Sequence, residues 1–179
     1  MAKLPPLAIL PPLFFVALAG LFLGGMFRSS PDALPSTLIG SPAPVIDLDP
    51  MAGLTPFARE LLDAPGAKIV NYWASWCAPC RVEHPQLMTM ADEGLPVYGV
   101  NYKDDVGKAK SFLTELGNPY EGVGADPRGR MAIEWGVYGV PETFVIDGKG
   151  RVVLRFAGPI TADIMEKRIR PALAEASAE

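Results

Sequence analysis

Hydrophobic residues fall into three patterns along this chain. From Leu4 to Phe27 nothing is charged and no polar face recurs, so the segment does not read as an amphipathic helix. At about 1.5 Å of rise per residue, some 20 such residues would cross a hydrocarbon core about 30 Å thick. Prolines 5, 6, 11 and 12 weaken its first turns, and a continuous helix is most secure from Pro12 onward. Short β-rich apolar runs form the second pattern: Lys68–Ala74, Leu95–Tyr102, Thr143–Asp147 and Arg151–Ala157 predict strands, the last two joined as a hairpin through Gly148-Lys149-Gly150. The third is helical. Val106, Ala109, Phe112, Leu113 and Leu116 share a face, with Gly117 as a stop. Ile160, Ile164, Met165, Ile169 and Leu173 mark a closing helix, Arg130–Trp135 a short one, and Cys80 to about Glu93 another with a kink expected at Pro85. The predicted order is β, α, β, α, short α, β, β, α, beginning with a right-handed βαβ unit.

These patterns divide the chain into an anchor over 1–28, a Ser/Pro-rich tether over 29–38 and a globular domain over 39–179. The domain is large enough to build a core without disulfide staples. A cleaved signal peptide competes with the anchor. Ala17-Leu18-Ala19 suits a cleavage site, but the apolar run continues to Phe27, which favours an uncleaved anchor. Lys3 and the amino terminus slightly outweigh Arg28, so the N-terminus is expected in the cytoplasm and the domain on the exported side of a single-pass protein. The net charge of −4 argues against a nucleic-acid binder.

Candidate chemistry centres on Trp73-Ala-Ser-Trp-Cys-Ala-Pro-Cys80, which holds both cysteines of the chain. Zinc needs about four ligands, and beside Cys77 and Cys80 there is only His84, expected to be a surface or helix-face residue. A structural disulfide across three residues closes too small a loop to stabilise much. A copper-delivery protein would want a third strong ligand, and residues 139–143 offer none. Redox exchange is the leading reading, with no metal or cofactor. A strand–turn–helix with CxxC at the turn suits a thioredoxin-like fold. At a helix start the thiolate is favoured, which makes Cys77 the expected exposed nucleophile and Cys80 the sheltered resolving thiol.

Pro141, after Gly139-Val140 and before a strand, stands where thioredoxin-like proteins place a cis proline facing the CxxC. It would leave neighbouring backbone free to pair with an extended client. Thioredoxins usually carry a buried Asp six residues before the first cysteine. Here that position is Asn71, which cannot titrate, so Glu83 and Glu142 are the candidate proton carriers.

The blocks WASWCAPCRVEH, GVNYKDD, LGNPY and GVYGVPETFVID, in that order over nearly the whole chain, resemble the CcmG/DsbE family of membrane-tethered thioredoxin-like proteins of bacterial cytochrome c maturation. The resemblance implies an α/β thioredoxin-like fold with a central mixed sheet flanked by helices, behind a transmembrane anchor. It implies a periplasmic reductant that keeps the CxxCH haem-attachment cysteines of apocytochrome c reduced, directly or through a CcmH-like thiol partner, with electrons from a CcdA- or DsbD-like membrane protein. It places Cys77, Cys80, Glu83 and Glu142 in the catalytic site, with Trp76, Val140, Pro141 and Thr143 against the client. Asn101-Tyr102-Lys103-Asp104 is expected to shape the nearby groove. A general periplasmic disulfide reductase and a copper metallochaperone are the rival readings.

Overall fold

The computed structural model describes residues 10–26 and 37–178. Leu10–Met26 is helix α1, a 17-residue stretch with exposed apolar side chains. Among the described residues no helix is long and apolar enough to cross a membrane. Residues 1–9 and 27–28 of the expected anchor, and 29–36 of the tether, lie outside the described residues.

Residues 37–178 carry a six-stranded sheet. Its strands are β1 (Asp49–Pro50), β2 (Lys68–Trp73), β3 (Val97–Tyr102), β4 (Gly122–Asp126), β5 (Glu142–Ile146) and β6 (Val152–Ala157), in the spatial order β1-β4-β3-β2-β5-β6. β2, β3 and β4 are parallel, and β1, β5 and β6 join antiparallel to their neighbours. The helices are α2 (Ala78–Asp92), α3 (Val106–Leu116), α4 (Arg130–Glu134) and a closing helix, α5, over 162–177. Met165–Ile169, inside α5, is wound as a π-helix. α2 continues through Pro85, whose ring nitrogen leaves one helical carbonyl without its usual donor.

Strands β1 and β4 and the placement of His84 depart from the sequence reading. β4 was not expected, because Gly122-Val-Gly-Ala-Asp126 lacks the β-branched run that signals a strand. It pairs in parallel with β3 from Tyr98↔Gly122 to Tyr102↔Asp126 and is buried throughout. His84 is buried rather than at the surface. Its ring meets Phe112 edge-on at 5.2 Å and its Nε2 lies 3.1 Å from the Gly117 carbonyl.

The sheet separates two cores. Ile69, Trp73 and Val145 face one with α2, α3 and α5, while Val70, Tyr72, Phe144 and Ile146 face the other with Trp135, the residue that ends α4. The strand period of two therefore assigns each polar residue to a face. Asn71 lies on the first face, between Ile69 and Trp73, and Thr143 is beside Val145's side of β5. Glu142 lies on the second, in step with Phe144 and Ile146.

Candidate active site

The active-site turn follows β2 directly. Cys77 is the N-cap of α2, in extended conformation, and its Sγ accepts the Cys80 N–H at 3.1 Å. Pro79 lies in the first turn, where a missing N–H costs nothing. Cys77 and Cys80 are disulfide-bonded, with Cα atoms 5.3 Å apart. The expected contrast in exposure is absent: Cys77 is 3% exposed and Cys80 2%. The turn tucks Cys77 against the opposing loop, with its Sγ 3.5 Å from the Val140 carbonyl oxygen. What separates the two cysteines is position, since only Cys77 caps the helix. Exposed Trp76 precedes the pair, and its Nε1 donates to the Lys103 carbonyl at 3.1 Å.

The Val140–Pro141 peptide is cis and stands opposite Cys77. Glu142 begins β5 just behind it. Its Oε1 accepts from the Tyr138 N–H at 2.9 Å and the Gly139 N–H at 3.3 Å, and its Oε2 from Arg155 Nε at 2.8 Å. The Arg155 guanidinium also stacks on Tyr138 at 4.9 Å and donates to the Gly136 carbonyl. Glu142 thus ties the 136–141 loop to β6.

Glu83 is placed differently. It lies one turn beyond Cys80 on α2, is fully buried, and faces the first core. Asn71 Nδ2 donates to its Oε1 at 2.8 Å and the Ile160 N–H to its Oε2 at 3.1 Å. Asn71 Nδ2 also reaches Thr143 Oγ1 at 3.1 Å, and the Tyr120 hydroxyl donates to Asn71 Oδ1 at 2.9 Å. Burial raises the Glu83 carboxyl to about 7, opposed by the Ile160 and Asn71 hydrogen bonds. The same burial, with Glu83 nearby, keeps the Tyr120 hydroxyl protonated well above its ordinary range. Gly99 makes room for this arrangement, because a Cβ there would come within 2.9 Å of the Tyr120 ring.

The structure therefore gathers Trp76, Cys77, Cys80, Val140 and Pro141 at one turn, puts Glu83 and Thr143 in the network behind it, and sets Glu142 on the other face of the sheet. Tyr120 and Arg155, and Asp104, whose carboxylate accepts from the Ser75 N–H at 2.6 Å, were not singled out for these contacts. Tyr120 stands in the LGNPY block and Asp104 in the KDD block, so the resemblance held the signal. Their partners, 49 and 29 residues away, come together only in the fold.

Comparisons with known proteins agree with this geometry. Residues 39–173 match the Redoxin family. The chain is 47% identical over 174 residues to the thiol:disulfide interchange protein HelX of Rhodobacter capsulatus, covering 97% of this chain and 98% of that one. It is 39% identical over 168 residues to the thiol:disulfide interchange protein DsbE of Escherichia coli, covering 91% of each. A crystal structure of a putative DsbE from Chlorobium tepidum superposes with a TM-score of 0.60 at 31% identity, over 74% of this chain and 95% of that one.

Proposed function

The chain belongs to the Redoxin family and is a thiol-disulfide oxidoreductase, and from that premise we propose that it is a membrane-anchored periplasmic reductant serving cytochrome c maturation. The observation that carries the reading is the Cys77–Cys80 pair at the start of α2, with the buried Glu83 carboxyl, which burial raises to about 7, one turn behind it. In the reduced protein the Cys77 thiolate attacks a client disulfide. A Cys77–client S–S bond forms, the client bond breaks, and the departing sulfur takes a proton. Glu83 then accepts the Cys80 proton. Cys80 attacks Cys77 Sγ, forming the Cys77–Cys80 disulfide and releasing the second client thiolate.

Trp76, Val140, Pro141 and Thr143 belong to the client side in this reading. Trp76 offers an exposed indole, and Val140 and Pro141 a backbone facing Cys77. Thr143 acts from behind, through Asn71. Glu142 works by holding the loop that carries Pro141. The client is the CxxCH pair of apocytochrome c or a CcmH-like thiol protein, and the electron donor is a CcdA- or DsbD-like membrane protein. The apolar α1, 17 residues long within an uncharged stretch, supports an inner-membrane anchor.

A Cys80→Ala variant should accumulate a mixed disulfide through Cys77, and the captured protein names the partner. Reduction of an apocytochrome c peptide disulfide should disappear in Cys77→Ala; survival there would overturn the assignment of the nucleophile. An equilibrium potential near roughly −120 mV, that of a strong oxidant, would overturn the direction.

A further inference from the structure

The loop after β3 is fastened to the active-site turn by one side chain. Asp104 Oδ2 accepts from the Ser75 N–H at 2.6 Å and from Asn101 Nδ2 at 3.0 Å. Its Oδ1 accepts from Ser75 Oγ at 2.8 Å and from the Asp105 N–H at 2.9 Å. Each oxygen therefore takes one hydrogen bond from the turn and one from its own side, Asn101 at the end of β3 or Asp105 in the loop, which fills the carboxylate's acceptor capacity. A second tie runs beside it, from Trp76 Nε1 to the Lys103 carbonyl. Lys103 has φ 46°, the only positive φ of a non-glycine among the described residues. A lysine held there costs about 1 kcal/mol or more, so the surrounding contacts must over-determine it. Its N–H is held by the Asp126 carbonyl at 3.1 Å.

We propose that Asp104 is a positioning residue for thiol exchange: its carboxylate fixes the Ser75–Trp76 turn and biases the Cys77–Cys80 couple toward the disulfide, making the dithiol a stronger electron donor. The physical argument has two parts. Ser75 and Trp76 are the residues that lead into Cys77, so fastening them holds the turn in which Cys77 caps α2 and is bonded to Cys80 as the disulfide. A negative charge bonded to the backbone two residues before Cys77 opposes the thiolate that this cap favours, and the thiolate exists only in the reduced form. Removing the charge therefore favours the dithiol and weakens it as a donor. The inference rests on the reading of Cys77 and Cys80 as the exchanging pair.

The test is equilibration of the full chain, in detergent, with glutathione buffers of graded ratio: protein disulfide plus two glutathione thiols gives protein dithiol plus glutathione disulfide. Asp104→Asn can satisfy at most half of the four donors and carries no charge. Its equilibrium should move on the order of five-fold toward the dithiol. Asp104→Glu, which keeps the charge, should return toward the parent value. Asp105→Asn removes the neighbouring charge while keeping an N-cap side chain for α3, and should stay within about two-fold of the parent. An unmoved equilibrium in Asp104→Asn overturns the proposal, and so does an equal shift in Asp105→Asn. Far-UV circular dichroism checks folding, and Ser75→Ala, which cuts one tie and keeps the charge, gives a milder variant that should shift less than Asp104→Asn. A parent protein that does not exchange with glutathione at all would instead count against the dithiol reading itself.

Discussion

Glu83 and Glu142 are both fully buried carboxylates within reach of one redox turn, yet they face opposite sides of the same sheet and meet opposite company. Glu83 receives two neutral donors, Asn71 and the Ile160 N–H. Glu142 receives two N–H groups and the guanidinium of Arg155, whose side chain is itself only 10% exposed. A buried carboxyl with neutral partners stays free to change its protonation, and one matched by a buried cation is committed to structure. Burial alone does not make a proton carrier; the charge of the partners decides.

The largest effect should come from breaking the committed member. Glu142→Ala strands the Arg155 guanidinium and two loop N–H groups, and should destabilise the domain by about 3–5 kcal/mol in urea unfolding. A Glu142→Leu, Arg155→Met pair should recover much of that, because it removes both charges together. Unchanged stability with lost exchange in Glu142→Ala would break the comparison and return Glu142 to the chemistry.

Glu83 should reveal itself through pH. Its carboxyl rises from an ordinary 4.5 to about 7 on folding, so between those values the folded state holds a proton that the unfolded state has lost. The contribution of Glu83 to stability is therefore full below about pH 4.5, falls as pH rises and is gone above 7, while buried His84, its pKa lowered by desolvation, works the other way below about 6.5. The span from Glu83 is about 3 kcal/mol. Glu83→Gln should flatten that slope, as measured by urea midpoints across the range. A slope that persists in Glu83→Gln would place the titrating group elsewhere.

Much of this contrast was legible in the sequence, and the missing part has a physical cause. CxxC after a strand marked the turn, Val140-Pro141 marked the opposing loop, and Asn71 showed that the usual acid was absent. Both glutamates could be named, but not told apart. Glu83 is read from helix spacing, which puts it one turn from Cys80. Glu142 is adjacent in sequence to Pro141, and adjacency on a strand reverses the face with every residue. The decisive partners, Arg155 for one and Tyr120 with Asn71 for the other, are set by strand register. β4, Gly-Val-Gly-Ala-Asp, gave no pattern to bring Tyr120 toward Asn71, and an irregularity between Val145 and Ile146 shifts the hairpin register that sets Arg155 against Glu142.

In exchange kinetics the order should reverse. Glu83→Gln keeps the shape of the carboxyl but cannot take the Cys80 proton, so the step that resolves the mixed disulfide should slow by about 10²-fold near neutral pH. The first attack by Cys77 should change much less. Quenched-flow trapping of the mixed disulfide separates the two steps. Equal slowing of both would mean that Glu83 acts on the turn as a whole.

The smallest effect tests what aims the network. The Tyr120 hydroxyl is the donor that holds Asn71 Oδ1, which leaves Nδ2 pointing at Glu83 and Thr143. Tyr120→Phe deletes that donor and leaves a buried carbonyl oxygen short of a partner, at a cost of about 1–2 kcal/mol. It also frees the Asn71 amide to turn over. Turned, it presents its oxygen to Glu83, and an acceptor facing a carboxyl favours the protonated form. The pH at which stability levels off should therefore move upward in Tyr120→Phe. Thr143→Val, which removes an acceptor from the other side of Asn71, leaves Tyr120 holding the amide and should not move it. A shift in both variants would mean that packing around Glu83, rather than the orientation of Asn71, sets its titration.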